Sequence, residues 1–289
     1  NVKFAHTIFA LPFALMSMFM AAASTGNGPI PPWGVIALVL VCMVTARSAA
    51  MTANRIWDLQ LDRRNPRTRN RPMVTGQLST RAGWIFMLAN AAVFLGACAM
   101  FELLYGNPWP LLLAAVAIGV LCLYPLAKRF TLLSHFWLGA ALGLSPIGAW
   151  LATEPATFGA APLLLAAAVL FWTAGFDILY ACQDIDIDRR EGLHAIPAQL
   201  GVPRALLISR GCHALTAALL IALGLVSGQL GIVYAVGAAV AIVLLAWEQS
   251  LVRPTDLSRI NVAFFTINGL VSISLAIFAI ADVVLRAQG

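Results

Sequence analysis

Half of the acidic residues in this chain, six of twelve, fall in two short clusters. The first is Asn54-Arg55-Ile56-Trp57-Asp58-Leu59-Gln60-Leu61-Asp62. Asn54, Asp58 and Asp62 recur at i, i+4 and i+8, so on a helix they line one face. The second runs from Asp177 through Tyr180 to Asp184, Asp186 and Asp188. Asp177, Tyr180, Asp184 and Asp188 are spaced i, i+3, i+7 and i+11, again one helical face, with Asp186 pointing elsewhere. Stacked carboxylates repel one another, and beside an apolar interior they are costly. The spacing therefore predicts something positive among them. Two facing acidic helix ends form a hard, oxygen-rich site that suits Mg²⁺. Magnesium takes one or two carboxylates and completes its shell with water and phosphate oxygens. The chemistry indicated is a phosphorylated substrate bridged to the protein by metal, its remaining charge met by Arg and Lys. A solvated loop is the plainer reading for Arg63, Arg64 and Arg69, but gives no reason to align carboxylates twice.

The elements that position these clusters follow from composition. Of 289 residues, 61% are hydrophobic and 10% charged, with mean hydropathy +0.88. A soluble domain carries about 25% charged residues, which excludes a water-borne globule, a disordered chain and a small disulfide scaffold. The apolar runs are long and unbroken, unlike the alternating segments of a β-barrel. A spanning helix needs about 20 apolar residues. Nine candidates meet this, at 7–23, 33–53, 84–101, 109–127, 132–152, 160–182, 204–224, 230–250 and 261–284. The uncharged run between 211 and 247 is divided at Ser227-Gly228-Gln229 because it would cross the bilayer nearly twice. The expectation is an all-α integral membrane protein: one domain over 1–289, nine helices in a bundle around a central cavity. The clusters close helices 2 and 6, which hints at a four-helix repeat (helices 1–4 and 5–8) followed by helix 9.

Charge placement orients the bundle. The net charge is +6 and the pI about 9.4; the cations mark a membrane face and no nucleic-acid partner is expected. Arg55, Arg63, Arg64, Arg67, Arg69, Arg71 and Arg81 follow helix 2, and Lys128 and Arg129 follow helix 4. Arg189, Arg190 and Arg204 follow helix 6, and Arg253 and Arg259 follow helix 8. The opposite loops hold no Lys or Arg, leaving only the tail residue Arg286 on that side. The positive-inside rule then places the amino terminus and both acidic clusters on the cytoplasmic side. The first apolar stretch reads as a retained helix, not a cleaved signal. Cys42, Cys98, Cys122, Cys182 and Cys212 show no metal-type spacing and read as packing residues.

Three segments carry a resemblance. Asn54-x-x-x-Asp58-x-x-x-Asp62 followed by Arg67-Thr68-x-x-Arg71-Pro72 resembles the first signature of the UbiA superfamily of intramembrane prenyltransferases. Asp177-x-x-Tyr180-x-x-x-Asp184-x-Asp186-x-Asp188 with Gly192-Leu193-His194-Ala195-Ile196-Pro197 resembles the second. Tyr124-Pro125-x-x-Lys128-Arg129-x-Thr131 resembles the segment between helices 4 and 5. The resemblance covers nearly the whole chain. It departs at Arg55, where many members carry Asp, at His194, where Lys is frequent, and at Ala195, where Ser is common.

The resemblance implies joining of a polyprenyl chain to an aromatic ring. A pair of Mg²⁺ ions held by Asn54, Asp58, Asp62, Asp177, Asp184 and Asp188 clamps an allylic polyprenyl diphosphate. Arg67, Arg71, Lys128, Arg129 and Arg190 hold its oxygens, with Tyr180 as hydroxyl donor. The acceptor is a hydroxylated aromatic acid such as 4-hydroxybenzoate, with 1,4-dihydroxy-6-naphthoate as an alternative, in ubiquinone or menaquinone synthesis. Lys3, His6 and Arg47 are candidates for its carboxylate. Arg47 lies inside helix 2, where an unpaired cation is costly, and it could instead pair with Asp177. His6 also reads as structural, as do His135 and His213. The first helix and Gly175-Phe176-Asp177 look most like the bacterial quinone branch, in the cytoplasmic membrane with lipid around it. Haem O, chlorophyll and ether-lipid transferases of the superfamily are rivals. A cation-coupled transporter is a rival of another class, but such sites lie near the midplane at broken helices, away from Arg-rich loops.

Overall fold

Apolar segments in lipid have no water to satisfy their backbone, so each run folds as a helix that bonds internally. The computed structural model describes residues 9–26 and 28–287, and these are all-helical, with no named strand. The helices are α1 (Leu11–Ala23), α2 (Trp33–Trp57), α3 (Leu59–Arg64), α4 (Thr80–Tyr105), α5 (Trp109–Leu123) and α6 (Ser134–Thr153). They continue as α7 (Ala160–Ala181), α8 (Ile185–Arg190), α9 (Ile196–Leu200), α10 (Val202–Val226), α11 (Ile232–Leu251) and α12 (Asn268–Arg286). Eight are long and apolar enough to cross a membrane: α2, α4, α5 with its continuing turn, α6, α7, α10, α11 and α12 with the turn before it. The expected first span is α1, which is apolar but only 13 residues long within the described range. The chain is an integral membrane protein with, among the described residues, eight such helices and this shorter one. The expected division at 227–229 holds, with α10 ending at Val226 and α11 beginning at Ile232.

Regular α-helix gives way in two of the spans. Helix α5 tightens into a 3₁₀ turn over Tyr124–Arg129, where Pro125 lacks the N–H to continue the ladder. A π-helical turn over Val262–Ile267 opens the span that α12 completes. The Asn268 amide steadies that turn, donating to the carbonyls of Ala263 (3.1 Å) and Phe264 (3.3 Å).

Packing falls into two groups. Helices α2, α4 and α5 meet through Ala46, Ala49, Ala53, Met87, Phe94 and Ala114. Helices α1, α6, α7, α10, α11 and α12 share a larger core containing Phe13, Met16, Trp150, Trp172, Leu220 and Val271. Lipid is as apolar as leucine, so small residues that admit close approach drive such contacts. Gly139 and Gly143 of α6 lie directly on the carbonyls of Leu170 and Ala166 in α7. Large apolar side chains such as Leu103, Leu225 and Ile232 face outward, as expected beside lipid. The five cysteines are free, and the sulfurs of Cys42 and Cys98 touch at 3.9 Å between α2 and α4.

Candidate active site

A cavity of about 540 Å³ lies between the two groups of helices, and all six candidate metal ligands line it. The helical faces expected from spacing exist, but on broken helices. Helix α2 ends at Trp57, and Asp58 takes a non-helical conformation (φ −92°, ψ 8°) before α3 begins. The i to i+4 register survives the break: Asp58 N–H donates to the Asn54 carbonyl (2.9 Å) and Asp62 N–H to the Asp58 carbonyl (2.7 Å). The second cluster breaks more tightly: the N–H groups of Cys182, Gln183 and Asp184 donate three residues back, to the carbonyls of Leu179 (3.2 Å), Tyr180 (3.2 Å) and Ala181 (3.0 Å). Helix α7 stops at Ala181, Asp184 flanks the start of α8, and Asp188 N–H donates to the Asp184 carbonyl (2.8 Å). Each break turns the second half of its cluster without moving it off the cavity.

Cations expected to hold phosphate stand against these carboxylates. Lys128 Nζ pairs with Asp58 (2.5 Å), and Arg71 with Asp62 (2.6 Å). Arg67 grips both oxygens of Asp184 through Nε (3.1 Å) and Nη2 (2.5 Å). The same guanidinium donates to Tyr180 Oη (3.2 Å) and lies 5.2 Å from that ring's centre. Burial lowers the Arg67 pKa, but the hydrogen bond and charge of Asp184 outweigh it and the net shift is upward. The Asp188 carboxylate has no hydrogen bond or ion pair among the described residues. Burial pushes its carboxyl up to about 6, the charge of Asp184 adds to this, and Lys128, His135 and Arg67 pull the other way.

Arg47 lines the cavity, and its buried Nε has no hydrogen-bond partner. The alternative partner considered for it, Asp177, is taken by His135: Nδ1 lies 2.7 Å from the carboxylate. Ile196 N–H donates to His135 Nε2 (3.3 Å), so the ring proton sits on Nδ1, facing Asp177. His135, read from sequence as structural, is thus part of the cavity wall. Asn65 (Nδ2 to Asp184 Oδ1, 3.0 Å) and Tyr124 (accepting from Asn54 Nδ2, 3.3 Å) were also missed. Asn65 could have been found as the polar residue opening the Arg67–Arg71 segment; nothing local marks His135. Arg129 does not line the cavity; it caps the Trp57 carbonyl (2.5 Å) and lies 3.7 Å from Asp58. Arg190 is exposed and outside the lining. Lys3 and His6 lie outside the described residues.

Among the described residues, no three His, Cys, Asp or Glu side chains converge as a ready-made metal cage. The donor set nonetheless fits magnesium. It is all oxygen, Asp58 Oδ1 is buried without a hydrogen bond, and the Asp188 carboxylate is unpaired. Magnesium is commonly bound by one or two carboxylates and completed by substrate phosphate, which needs no protein cage.

Known proteins resemble the chain over most of its length. A 4-hydroxybenzoate octaprenyltransferase of Azotobacter vinelandii is 33% identical over 216 residues, 73% of this chain and 69% of that protein. One from Pseudomonas aeruginosa (strain UCBPP-PA14) is 29% identical over 94% of this chain and 87% of its own. A mitochondrial 4-hydroxybenzoate polyprenyltransferase of Aedes aegypti is 34% identical, but the match spans only 54% of this chain and 34% of that protein. Among solved structures, a UbiA homologue from Aeropyrum pernix K1 superposes with TM-score 0.84 at 34% identity, covering 98% of this chain and 99% of that one. A homologue from Archaeoglobus fulgidus bound to GPP and Mg²⁺ shares the fold at TM-score 0.70 and 21% identity, covering 96% and 99%. The family model for UbiA prenyltransferases matches residues 10–270, and with the paired acidic junctions around one cavity it establishes that this chain belongs to the UbiA prenyltransferase family.

Proposed function

We propose that the protein transfers a polyprenyl group from an allylic polyprenyl diphosphate to a ring carbon of a hydroxylated aromatic acid of the 4-hydroxybenzoate type, within ubiquinone or menaquinone synthesis. The observation that carries this is the convergence of two acidic junctions, with Lys128, Arg71 and Arg67 among them, on one cavity that turns apolar away from them. A relative from Archaeoglobus fulgidus that binds GPP and Mg²⁺ supports it.

Asn54, Asp58 and Asp62 on one side and Asp177, Asp184 and Asp188 on the other would hold Mg²⁺, for which we infer two ions. Bound there, the metal supplies Lewis-acid stabilisation of the leaving diphosphate. Lys128, Arg71 and Arg67 turn from their carboxylates toward phosphate oxygens, and Tyr180 donates its hydroxyl proton as a hydrogen bond. Arg129 and Arg190, outside the lining, could reach only diphosphate at the rim. The arm lined by Phe94, Phe101 and Leu113 takes the isoprenoid and keeps water from the reacting carbon. Arg47, with an unsatisfied buried Nε, is the group placed to receive the acceptor carboxylate. We read residues 1–289 as one unit of nine spans in a bacterial cytoplasmic membrane, amino terminus and site toward the cytoplasm.

The test is purified protein with geranyl diphosphate and a panel of aromatic acids, including 4-hydroxybenzoate and 1,4-dihydroxy-6-naphthoate, with products identified by mass. The expected outcome is Mg²⁺-dependent formation of one C-prenylated acid, abolished by Asp58→Ala and by Asp184→Ala. Product formed without divalent metal, or unaffected by both substitutions, overturns the reading.

A further inference from the structure

One wall of the cavity is aromatic and takes no part in holding metal or diphosphate. Phe9, Phe176 and Phe264 line it and touch one another, with ring centres 5.5 Å (Phe9–Phe176), 5.6 Å (Phe9–Phe264) and 5.3 Å (Phe176–Phe264) apart. Phe264 also stacks on Tyr180, at 4.1 Å between centres and 31° between planes. Tyr180 carries Arg67, and Arg67 grips Asp184. The wall therefore begins one ring away from the groups assigned to diphosphate.

Phe264 reaches this place because the backbone is irregular there. It sits in the π-helical turn Val262–Ile267, and such turns inside α-helices are frequent at functional sites. The turn is held by a polar network at apolar depth. Asn268 donates to the Phe264 carbonyl and to Glu248 Oε1 (2.7 Å), and accepts from Trp172 Nε1 (2.6 Å). Asn268 and Glu248 are both fully buried. Burying a carboxyl and an amide inside a membrane bundle is expensive, and fixing the turn that carries Phe264 is what this arrangement accomplishes.

We propose that the Phe9–Phe176–Phe264 wall is the surface over which the allylic cation forms, with Phe264 stabilising it and Asn268 acting as the positioning residue for Phe264. The proposal rests on the transferase reading. In the step concerned, the C1–O bond of the donor breaks and its electron pair leaves with the diphosphate. Positive charge is then shared between C1 and C3. A π-electron pair of the acceptor ring forms the new bond to C1, and the displaced ring proton passes to the departing diphosphate. Phenylalanine faces are negative and attract a cation. They also hold no lone pair that could trap it, unlike the polar groups on the other walls.

The experiment places mono-, di- and trifluorinated phenylalanine at position 264, which drains the ring's negative face while keeping its shape. Geranyl diphosphate, Mg²⁺ and the aromatic acid that the wild-type protein prenylates are the substrates. The expected result is a stepwise fall in kcat with each fluorine, reaching about tenfold, with donor KM within about twofold. Phe264→Leu should fall at least as far. Asn268→Ala should lower kcat and leave donor KM nearly constant, while Asn268→Asp, which can still accept from Trp172, should recover part of the loss. A kcat unchanged across the fluorine series in an active protein overturns this proposal alone. Wild-type protein that makes no prenylated product overturns the transferase reading and this proposal together.

Discussion

Asp58 and Asp62 are almost wholly buried; Asp62 pairs with Arg71, and Asp58 with Lys128 at 2.5 Å and more distantly with Arg129 at 3.7 Å. Removing a partner from a buried pair leaves a charge without compensation, which costs more than the pair contributes. Lys128→Met should therefore lower unfolding free energy by about 2–3 kcal/mol, since Lys128 keeps some solvent contact. Asp58→Asn added to it should restore most of the stability without restoring activity, read by thermal melting and product assay. Asp188 acts in the opposite sense. Its carboxyl lies at about 6 against an ordinary 3.8, so its ionised form is disfavoured by the fold. That cost is absent below pH 3.8, grows between there and pH 6, and is complete above. Asp188→Asn should thus melt higher than wild type at pH 8 by about 1–2 kcal/mol, discounted for partial exposure, and the difference should fade toward pH 4. Arg47→Ala should raise acceptor KM at least tenfold and leave donor KM within twofold; an equal rise in both would remove Arg47 from the acceptor's carboxylate. At this scale the sequence was informative where identical types repeat, as in Asp58 and Asp62. It was silent on His135, whose link to Asp177 spans 42 positions and two helices.

At the scale of elements, the spacing argument succeeded for a reason that the continuous helix it assumed does not supply. Helix α2 gives way at Asp58, where i to i+4 hydrogen bonds persist, and α7 at Ala181, where they tighten to i to i+3, yet the carboxylates of both clusters still line the cavity. The short helices that follow the breaks, α3 and α8, each contribute lining residues, and Arg64 at the end of α3 joins Glu191, just after α8, at 2.7 Å. The contact of α6 with α7 gives a stability prediction. A methyl at Gly139 would strike the Leu170 carbonyl, which is backbone and cannot swing away, whereas Gly96 has nothing within 4 Å. Gly139→Ala should destabilise by about 1–3 kcal/mol, and Gly96→Ala should be neutral or stabilising by up to about 1 kcal/mol, because alanine is the better helix former. Comparable melting of the two variants would mean that α6 and α7 are not held this closely.

For the whole molecule, the orientation expected from charge gives a direct test. In a cysteine-free background, Ser258→Cys, beside Arg253 and Arg259, should react with a membrane-impermeant maleimide only from the cytoplasmic side. Gly228→Cys, exposed between α10 and α11, should react only from the other. The reverse pattern would place the cavity mouth outside. The arrangement also accounts for part of the positive loops: Arg55, Arg67, Arg71 and Lys128 line the cavity, while Arg63, Arg64, Arg69 and Arg190 are exposed outside it.

By itself the sequence determined that this is a helical membrane protein, where its spans fall to within a few residues, and which carboxylates share a face. Those properties follow from hydropathy and from spacing along one helix, which are local. Tertiary structure alone decided that the two acidic junctions meet on one cavity, that Arg67 belongs to Asp184 and Lys128 to Asp58, and that His135 and Phe264 stand beside them. Partners across separate helices depend on how rods pack side by side in lipid, and a single chain carries no local periodicity that encodes that choice.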